Sequence, residues 1–348
     1  MQLAQFRLCG APISVAPYGS GHINQTSLVV TDAGHRYILQ KVNRFIFRDV
    51  ARLMDNISRV TAHLREKDAD PRHVLRLIET LDGQDYLLDE AGDFFRVYDF
   101  VEGSVCLDQA RSPEDFHQSA VAFGTFQDQL SDFPADTLYE TIPHFHDTPD
   151  RYRQLKEAIA ADAVGRLATV GREVDFALGR EAEAGTLMQL LKDGELPLRV
   201  THNDTKLNNV LLDEHTHKPL CVIDLDTVMP GLAANDFGDS IRFGASTGAE
   251  DEVDLARVNF SMQLYETYLA GFWGACGQNL TRLERETLPI GAKLMTLECG
   301  VRFLTDYLAG DTYFHIHRPQ HNLDRCRTQF KLVACMEDVF SQMNQLTK

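Results

Sequence analysis

Short apolar segments separated by turns dominate the first hundred residues of the chain. Residues 26–31 (TSLVVT) and 37–40 (YILQ) flank an Asp-Ala-Gly turn, so they predict a β-hairpin. Apolar residues then recur at helical spacing, which predicts a helix over residues 47–66. Further apolar stretches predict three more strands at residues 75–78, 86–88 and 94–98. This order of elements indicates a small α+β lobe.

The pattern becomes helical after residue 102. Ser112 and Pro113 are a typical N-cap and first-turn proline. Residues 199–226 interrupt this pattern and predict a loop, a strand, a turn and a second strand. Helical periodicity covers residues 150–163, 173–192, 251–273, 282–308 and 323–345. At 348 residues the chain is too long for one hydrophobic core. We therefore predict an α+β fold class with two lobes, an antiparallel sheet plus one helix over residues 1–102 and a larger, mostly helical part over residues 103–348.

The composition is that of an ordinary globular protein, with 44% hydrophobic and 24% charged residues. These values exclude a disordered chain, a collagen and a coiled coil. The net charge of −17 repels nucleic acid and anionic lipid, and no concentrated basic segment offsets it. We therefore expect neither a nucleic acid nor a membrane as a partner. The residues leave the oligomeric state open.

Cysteine usage and the start of the chain bear on the cellular compartment. The seven cysteines include no CxxC pair, which favours apolar packing in a reduced compartment over a thiol or zinc site. No apolar run approaches the length of a membrane span, and residues 1–7 lack the long apolar core of a signal peptide. These features predict a cytoplasmic protein.

Residues 201–231 carry the strongest chemical pattern in the chain. Asp204 and Asn209 lie five positions apart in a polar loop, and the apolar run 220–223 ends in Asp224. Reflecting the predicted hairpin about its centre, between Thr216 and His217, places Asn209 opposite Asp224. Directly opposed residues of an antiparallel pair lie about 5 Å apart at Cβ. The pattern therefore predicts that an amide oxygen and two carboxylates converge at one end of the hairpin.

Oxygen ligands of this kind suit Mg²⁺, which proteins usually share with substrate phosphates. His202, Asp204 and Asn209 have the spacing of the kinase catalytic loop H-R-D-x-x-x-x-N, with Asn203 in place of its arginine. In that chemistry one Asp accepts the proton of the acceptor hydroxyl, and an Asn and a second Asp hold the metal. The alternative is an exposed polar loop, because Asn and Asp are common in turns. Asp224, placed directly after an apolar strand, favours the metal site.

Two strings resemble the aminoglycoside phosphotransferase and choline kinase superfamily, which has a protein-kinase-like fold: HNDTKLNNV at 202–210 and VIDLDT at 222–227. With MPG at 229–231 and DFGDSIRFG at 236–244, the sequence resembles the N-acetylhexosamine 1-kinases. The resemblance extends over nearly the whole chain. It implies a bilobal kinase that uses ATP and Mg²⁺ to phosphorylate the anomeric C1 hydroxyl of N-acetylglucosamine or N-acetylgalactosamine.

The resemblance also implies roles for single residues of the catalytic segment. Asp204 would be the catalytic base, and Asn209 and Asp224 would be the metal ligands. Lys206, two residues beyond the base, would contact the transferring phosphate. The alternative for Lys206 is an ordinary solvated lysine.

Sugar recognition in the resembled family implies three further residues here, His22, Arg302 and Tyr313. Arg302 lies just off the apolar stripe of a predicted helix, so a surface arginine that packs its stem along the helix is the alternative. Tyr313 is alternatively a packing aromatic in a loop. Only the resemblance favours the acceptor site for these two residues.

The expected nucleotide contacts lie in the first lobe. Gly19, Ser20 and Gly21 form a small glycine-rich loop whose backbone N–H groups would approach phosphates, although such a segment is alternatively a simple turn. The strand over residues 94–98 would lead into the hinge between the lobes. Backbone groups from Asp99 to Val101 would then bind adenine.

Two features depart from the protein kinases. The lysine expected at the end of the third strand falls on Gln40 or on Lys41, one position further. Neighbouring strand positions face opposite ways, so only one of the two reaches the phosphates, and the sequence does not decide which. The following helix offers Asp49 and Asp55 rather than a well-placed Glu, and D-L-D at residues 224–226 replaces D-F-G.

Other functions remain as alternatives. The chain would otherwise be a superfamily kinase for another small alcohol, such as a different sugar, an amino alcohol or an aminoglycoside. A catalytically inactive nucleotide-binding protein is a third alternative, which the presence of Asp204, Asn209 and Asp224 disfavours. Two His-x-His pairs, His144 with His146 and His315 with His317, lack further ligands at zinc spacing and favour ordinary loop histidines.

Overall fold

The computed structural model describes residues 2–19 and 23–348. Within them the strands are β1 (Pro12–Pro17), β2 (Gln25–Thr31), β3 (Arg36–Lys41), β4 (Leu87–Leu88), β5 (Phe94–Asp99), β6 (Ser104–Cys106), β7 (Arg199–Thr201), β8 (Val210–Asp213), β9 (Pro219–Val222) and β10 (Met229–Gly231). The α-helices of the same residues are α1 (Val50–Lys67), α2 (Pro113–Gln129), α3 (Thr148–Ala161), α4 (Gly171–Leu178), α5 (Glu181–Ala184), α6 (Thr186–Lys192), α7 (Ala233–Gly244), α8 (Met262–Cys276), α9 (Arg282–Ala309) and α10 (His321–Leu346). None of these helices in the described residues is both long and apolar enough to cross a membrane.

The N-terminal part is an antiparallel sheet with strand order β1-β2-β3-β5-β4 in the described residues. The predicted hairpin is β2 and β3, and the predicted helix is α1. Leu53, Met54, Ile57 and Val60 of α1 are fully buried and belong to a core cluster that also includes Tyr98 of β5. The sheet and helix are therefore joined by apolar packing, as the helical spacing predicts.

One predicted strand in this part was wrong, and one strand was missed. Residues 75–78 form only an isolated bridge, between Leu77 and Tyr98, because they run beside the sheet without a continuous ladder. Strand β1 was not predicted. Its apolar residues Ile13 and Val15 are 68% and 48% exposed, so an edge position gives it no alternating apolar pattern.

The C-terminal part is mostly helical, as predicted. The Ser112 side chain accepts from the Asp115 N–H in a capping box that begins α2. Long helix α9 packs against α7 and α10 around apolar residues such as Leu297, Val301 and Phe330. Strands β8 and β9 form the predicted hairpin, which β6 extends on the β8 side.

Helix α7 was not predicted, although it lies at the centre of this part. Its sequence reads as polar, yet Asp236, Asp239, Ser240 and Arg242 are all buried. Ala233, Phe237 and Ile241 do recur at helical spacing and are buried, but the polar residues between them interrupt the apolar pattern. Two predicted helices also differ in extent: residues 173–192 divide into α4, α5 and α6, and the helix expected from residue 251 begins at Met262.

Candidate active site

A buried carboxylate of α7 holds the loop that follows β7. Asp236 accepts the backbone N–H of His202 at 2.9 Å and that of Asn203 at 2.7 Å. Gln127 of α2 donates its Nε2–H to the same carboxylate at 2.7 Å. Burial raises the pKa of Asp236, and these three donors oppose that rise. The backbone leading into Asp204 is thereby fixed by a residue more than thirty positions away.

Asp204 lies at the centre of a set of polar contacts within this loop. Its carboxylate accepts from Asn209 Nδ2 at 3.0 Å and from Lys206 Nζ at 2.8 Å. Burial alone would raise the pKa of Asp204, but Lys206, His202 and the Asn209 amide outweigh it and lower the pKa below its ordinary range. Asp204 is therefore ionised at neutral pH.

Lys206 is an ion-pair partner rather than a freely solvated side chain. The adjacent Asp204 carboxylate raises the pKa of Lys206, and the more distant Asp239 carboxylate adds to this effect. Its side chain is still 35% exposed, so part of it is in contact with solvent.

The predicted pairing of Asn209 with Asp224 was wrong by one residue. The Ile223 N–H donates to the Asn209 carbonyl at 2.9 Å, and Val210 pairs with Val222. The turn is centred one position earlier than predicted, since the Asp213 N–H donates to the Lys218 carbonyl at 2.8 Å. An irregularity between Leu211 and Leu212 then shifts the register and brings Asn209 opposite Ile223. Asp224 follows the last pair.

The backbone of Asp224 explains how it nevertheless faces the same space as Asn209. Asp224 has φ of 58° and ψ of 56°, the left-handed region that non-glycine residues rarely adopt. The chain therefore leaves the strand direction at this residue. Asn209 and Asp224 both line one cavity.

Negative charge accumulates beside this cavity. Burial, together with the neighbouring carboxylates Asp226 and Asp204, raises the pKa of Asp224 to about 7. Within residues 2–19 and 23–348, no group of three His, Cys, Asp or Glu side chains is arranged to hold a metal ion. One amide and one crowded carboxylate fit a divalent cation whose remaining ligands are phosphate oxygens and water.

The cavity lies between the sheet and the β8–β9 hairpin and has a volume of about 210 Å³. It is lined by Tyr18, Gly19, Thr26, Ile38, Gln40, Leu75, Arg96, Tyr98, Asp99, Phe100, Val101, Ser104, Cys106, Asn208, Asn209, Leu211, Ile223 and Asp224. Gly19, the one described residue of the glycine-rich loop, lines the cavity and has a φ of 78°. Ser20, Gly21 and His22, which the sequence places in the phosphate loop and the sugar site, lie outside the described residues.

The structure separates the two candidate positions at the end of β3. Gln40 lines the cavity, donates to Thr26 Oγ1 at 3.1 Å and accepts from Arg96 Nε at 2.9 Å. Lys41 instead pairs with Asp93 at 2.6 Å and lies outside the set of described residues that line the cavity. The placement of Lys41 among the phosphate contacts is therefore corrected, because alternation along the strand turns it away.

Sequence reasoning missed Arg96, which lies on β5 directly opposite Gln40. Its guanidinium is 1% exposed and forms an ion pair with Asp226 at 2.5 Å. The signal was a single charged residue inside the apolar strand FFRVY at 94–98. A buried arginine in such a strand needs a partner, and the partner lies in the D-L-D segment.

The two described residues of the predicted sugar site lie apart from the cavity. The Arg302 guanidinium lies over the rings of Phe145 and Phe314, at 5.3 and 5.5 Å from their centroids. Tyr313 is 60% exposed, and its ring contacts Phe314 edge-on at 4.8 Å. Arg302 is thus fixed by two aromatic rings, whereas Tyr313 presents most of its surface to solvent.

A histidine links the surroundings of Arg302 to the catalytic loop. His146 contacts the buried Glu298 carboxylate through Nδ1 at 3.0 Å and the Asn203 carbonyl through Nε2 at 3.1 Å. Burial would raise the pKa of Glu298, but His146 and Arg302 lower it below its ordinary range. One member of the first His-x-His pair is therefore engaged in this network.

Three solved structures with the same overall fold carry the name of a small-molecule kinase. A microcompartment-associated aminopropanol kinase matches with a TM-score of 0.61 at 16% identity, over 98% of this chain and 96% of that chain. Amicoumacin kinase in complex with AMP-PNP and Ca²⁺ has a TM-score of 0.61 at 13% identity, over 92% and 89%. Choline kinase LicA from Streptococcus pneumoniae has a TM-score of 0.56 at 15% identity, over 93% and 94%. The fold is therefore protein-kinase-like, as the sequence predicts.

The family follows from the sequence itself. Residues 14–270 match the model of the phosphotransferase enzyme family APH, so the chain belongs to that family. The predicted relationship to the aminoglycoside phosphotransferase and choline kinase superfamily is confirmed.

Proposed function

We propose that this protein is an ATP- and Mg²⁺-dependent kinase that phosphorylates the C1 hydroxyl of an N-acetylhexosamine, N-acetylglucosamine or N-acetylgalactosamine. The observation that carries the kinase chemistry is the ionised Asp204 beside Asn209, at the edge of the cavity that Asp224 lines. Family membership supports phosphoryl transfer. The sugar rests on the resemblance of residues 202–244 to the N-acetylhexosamine 1-kinases.

In this proposal Asp204 is the general base. The acceptor oxygen forms a bond to the γ-phosphorus, the bond from that phosphorus to the β-bridging oxygen breaks, and ADP leaves. The hydroxyl proton passes to Asp204, whose pKa below the ordinary range keeps the carboxylate ionised before the step. Lys206 lies against the same carboxylate and is positioned to interact with the transferring phosphoryl group.

Asn209 and Asp224 hold Mg²⁺ in this scheme. When bound, the ion neutralises charge on the phosphate oxygens, which is the main electrostatic requirement of phosphoryl transfer. The crowding of Asp224 with Asp226 and Asp204 supports a cation at this place, because a divalent charge relieves their mutual repulsion.

The nucleotide occupies the cavity between the sheet and the hairpin. Because Gly19 and Gln40 line this cavity, we assign phosphate contacts to them. The sequence adds Ser20 and Gly21, which lie outside the described residues. The N–H groups of Asp99 and Phe100 already donate to the carbonyls of Arg76 and Arg36. We therefore propose that adenine is bound by backbone groups at Val101.

The lobe boundary stays a prediction. We propose that residues 1–102 supply the wall of the nucleotide site. Residues 103–348 would supply the base, the metal ligands and the acceptor site.

In this proposal the acceptor binds on the side of Asp204 opposite the nucleotide, near Arg302 and Tyr313. The resemblance adds His22, which lies outside the described residues. Burial lowers the pKa of the half-buried Arg151, and repulsion from the nearby Arg302 guanidinium adds to this effect, while Glu298 opposes it. Two neighbouring positive charges disfavour a cationic acceptor such as choline or an aminoglycoside. A neutral sugar with hydroxyl and acetamido oxygens suits these donors better.

An acceptor panel with Mg²⁺-ATP tests this proposal. We expect ADP formation with N-acetylglucosamine or N-acetylgalactosamine, and phosphorus-coupled NMR should place the phosphate on C1. Asp204→Asn, which keeps the shape of the side chain, is the control for background ATP hydrolysis. Turnover only with choline, aminopropanol or an aminoglycoside would overturn the sugar assignment. Absence of Mg²⁺-ATP binding would overturn the kinase assignment as well.

A further inference from the structure

The third strand of this chain lacks the cation that kinase chemistry uses at the phosphates. In protein kinases a lysine on that strand contacts the nucleotide phosphates and is held by a glutamate of the following helix. Here Gln40 takes the cavity-facing position, and the only lysine beside it in sequence, Lys41, is paired with Asp93. Helix α1 has no acidic residue in its first turn.

A buried arginine fills the same region from the next strand. Arg96 lies in direct register with Gln40 and donates its Nε–H to Gln40 Oε1 at 2.9 Å. The two side chains therefore share one face of the sheet. Arg96, Gln40 and Asp224 all line the cavity that receives the nucleotide in the proposed function.

Asp226 holds this arginine in place of a helix glutamate. Arg96 Nη1 contacts Asp226 Oδ1 at 2.5 Å, and Asp226 Oδ2 accepts from Asn24 Nδ2 at 2.5 Å. The carboxylate therefore connects the sheet, the segment after the glycine-rich loop and the D-L-D segment that carries Asp224. A guanidinium has five N–H donors. Arg96 directs Nε to Gln40 and Nη1 to Asp226 and Met54 Sδ, which leaves Nη2 without a hydrogen-bond partner among the described residues.

Structural need alone is a weak explanation for this pair. Placing two charges in the interior costs several kcal/mol per ion, and well-packed apolar residues are often as stable. Three carboxylates, at positions 204, 224 and 226, also lie close together here and would repel phosphate. A second polar group of the wall, the Tyr98 hydroxyl, is buried without a hydrogen-bond partner in the described residues.

We propose that Arg96 is the relocated phosphate-binding cation of this kinase, with Asp226 as its positioning partner. The inference rests on the proposed nucleotide site and is independent of the identity of the acceptor. The guanidinium would contact the nucleotide phosphates from β5, across the strand pair from the position that a lysine normally occupies.

Nucleotide affinity measured by calorimetry on adenosine, ADP and ATP, with Mg²⁺, tests the proposal. Arg96→Met should weaken ATP and ADP binding about ten- to a hundredfold, since a hydrogen bond to a charged group contributes ~1.5–3 kcal/mol. Adenosine affinity should change less than about twofold on this scale. Lys41→Met is the matched control, because it removes a neighbouring cation outside the cavity and should leave all three affinities unchanged.

Arg96→Met leaves the buried Asp226 carboxylate without its partner, which could destabilise the fold, so a second variant serves as a control. Arg96→Met combined with Asp226→Leu removes both charges and should show the same phosphate-dependent loss. Adding Gln40→Lys to this double variant should recover at least part of the ATP affinity, because the cation is then returned to β3.

The proposal is overturned by any of three results. These are unchanged ATP affinity in the double variant, an equal loss of adenosine and ATP affinity, and no recovery with Gln40→Lys. Wild-type protein whose affinity does not rise from adenosine to ATP would instead overturn the proposed kinase function. The two failures are thus distinguished by the wild-type measurement alone.

Discussion

The catalytic loop and the sheet wall of the cavity are two halves of one candidate site with different origins. Asp204, Lys206 and Asn209 lie within six consecutive positions and contact each other directly. Arg96 and Gln40 are more than fifty positions apart and meet only through strand pairing. A group of functional residues within one segment can be predicted from their spacing in the sequence. A group shared between strands depends on the strand register and on which strand carries the charged side chain.

The largest expected effect is in the catalytic loop. Asp204→Asn should lower kcat by ~10²–10⁴-fold, the range typical of a lost general base. Mg²⁺-ATP affinity should remain near that of the wild type, because the amide keeps the shape of the carboxyl group. Rapid-quench and calorimetric measurements test this expectation. A near-normal kcat would remove Asp204 from the mechanism.

Substitution of the two proposed metal ligands should have the next largest effect. Asn209 belongs to the catalytic loop and Asp224 to the end of the β8–β9 hairpin, and we expect unequal effects at the two positions. Asp224→Ala and Asn209→Ala should both weaken Mg²⁺-ATP binding and turnover, and Asp224→Ala should be the more severe because it removes a full charge. Calorimetry at several Mg²⁺ concentrations measures the difference. Unchanged metal-nucleotide affinity in both variants would refute a shared ion.

Arg302→Ala should affect the acceptor side alone. Loss of a charged hydrogen-bond donor corresponds to roughly a ten- to hundredfold decrease in kcat/KM for the sugar. KM for ATP should remain constant, and Arg153→Ala, an exposed arginine on α3, is the control. Steady-state kinetics with both substrates varied measures these constants. A higher KM for ATP with an unchanged kcat/KM for the sugar would show that the acceptor binds elsewhere.

Asp236→Asn should perturb the support of the loop. The amide of asparagine cannot accept all of the N–H groups of His202, Asn203 and Gln127, so one donor is left unpaired. A buried unpaired donor costs ~1–3 kcal/mol of unfolding free energy. Chemical denaturation measures this loss, and wild-type stability would show that other groups fix the loop.

The smallest effect should come from Lys41→Met at the sheet wall. The Lys41–Asp93 ion pair is partly exposed, and such pairs contribute about 0–1 kcal/mol. Stability should change within that range, and ATP affinity should not change at all. A clear loss of ATP affinity would show that Lys41, and not Gln40, contacts the phosphates.

The amino-acid sequence by itself determined the local elements and the catalytic segment. The β2–β3 hairpin, α1, the start of α2 and the β8–β9 hairpin all follow from apolar spacing and turn residues, because these features act over a few neighbouring positions. The spacing of Asp204 and Asn209 likewise placed both side chains in one short loop. The family follows from the same strings.

Only the tertiary structure decided how distant residues share the site. The register shift between Leu211 and Leu212 moved Asn209 opposite Ile223, and the left-handed backbone of Asp224 turned that residue back toward the cavity. Strand pairing exposed Gln40 to the cavity and placed Arg96 against it. Bulges, strand alternation and buried polar contacts depend on packing between segments that are distant in sequence, so no local pattern of apolar residues encodes them.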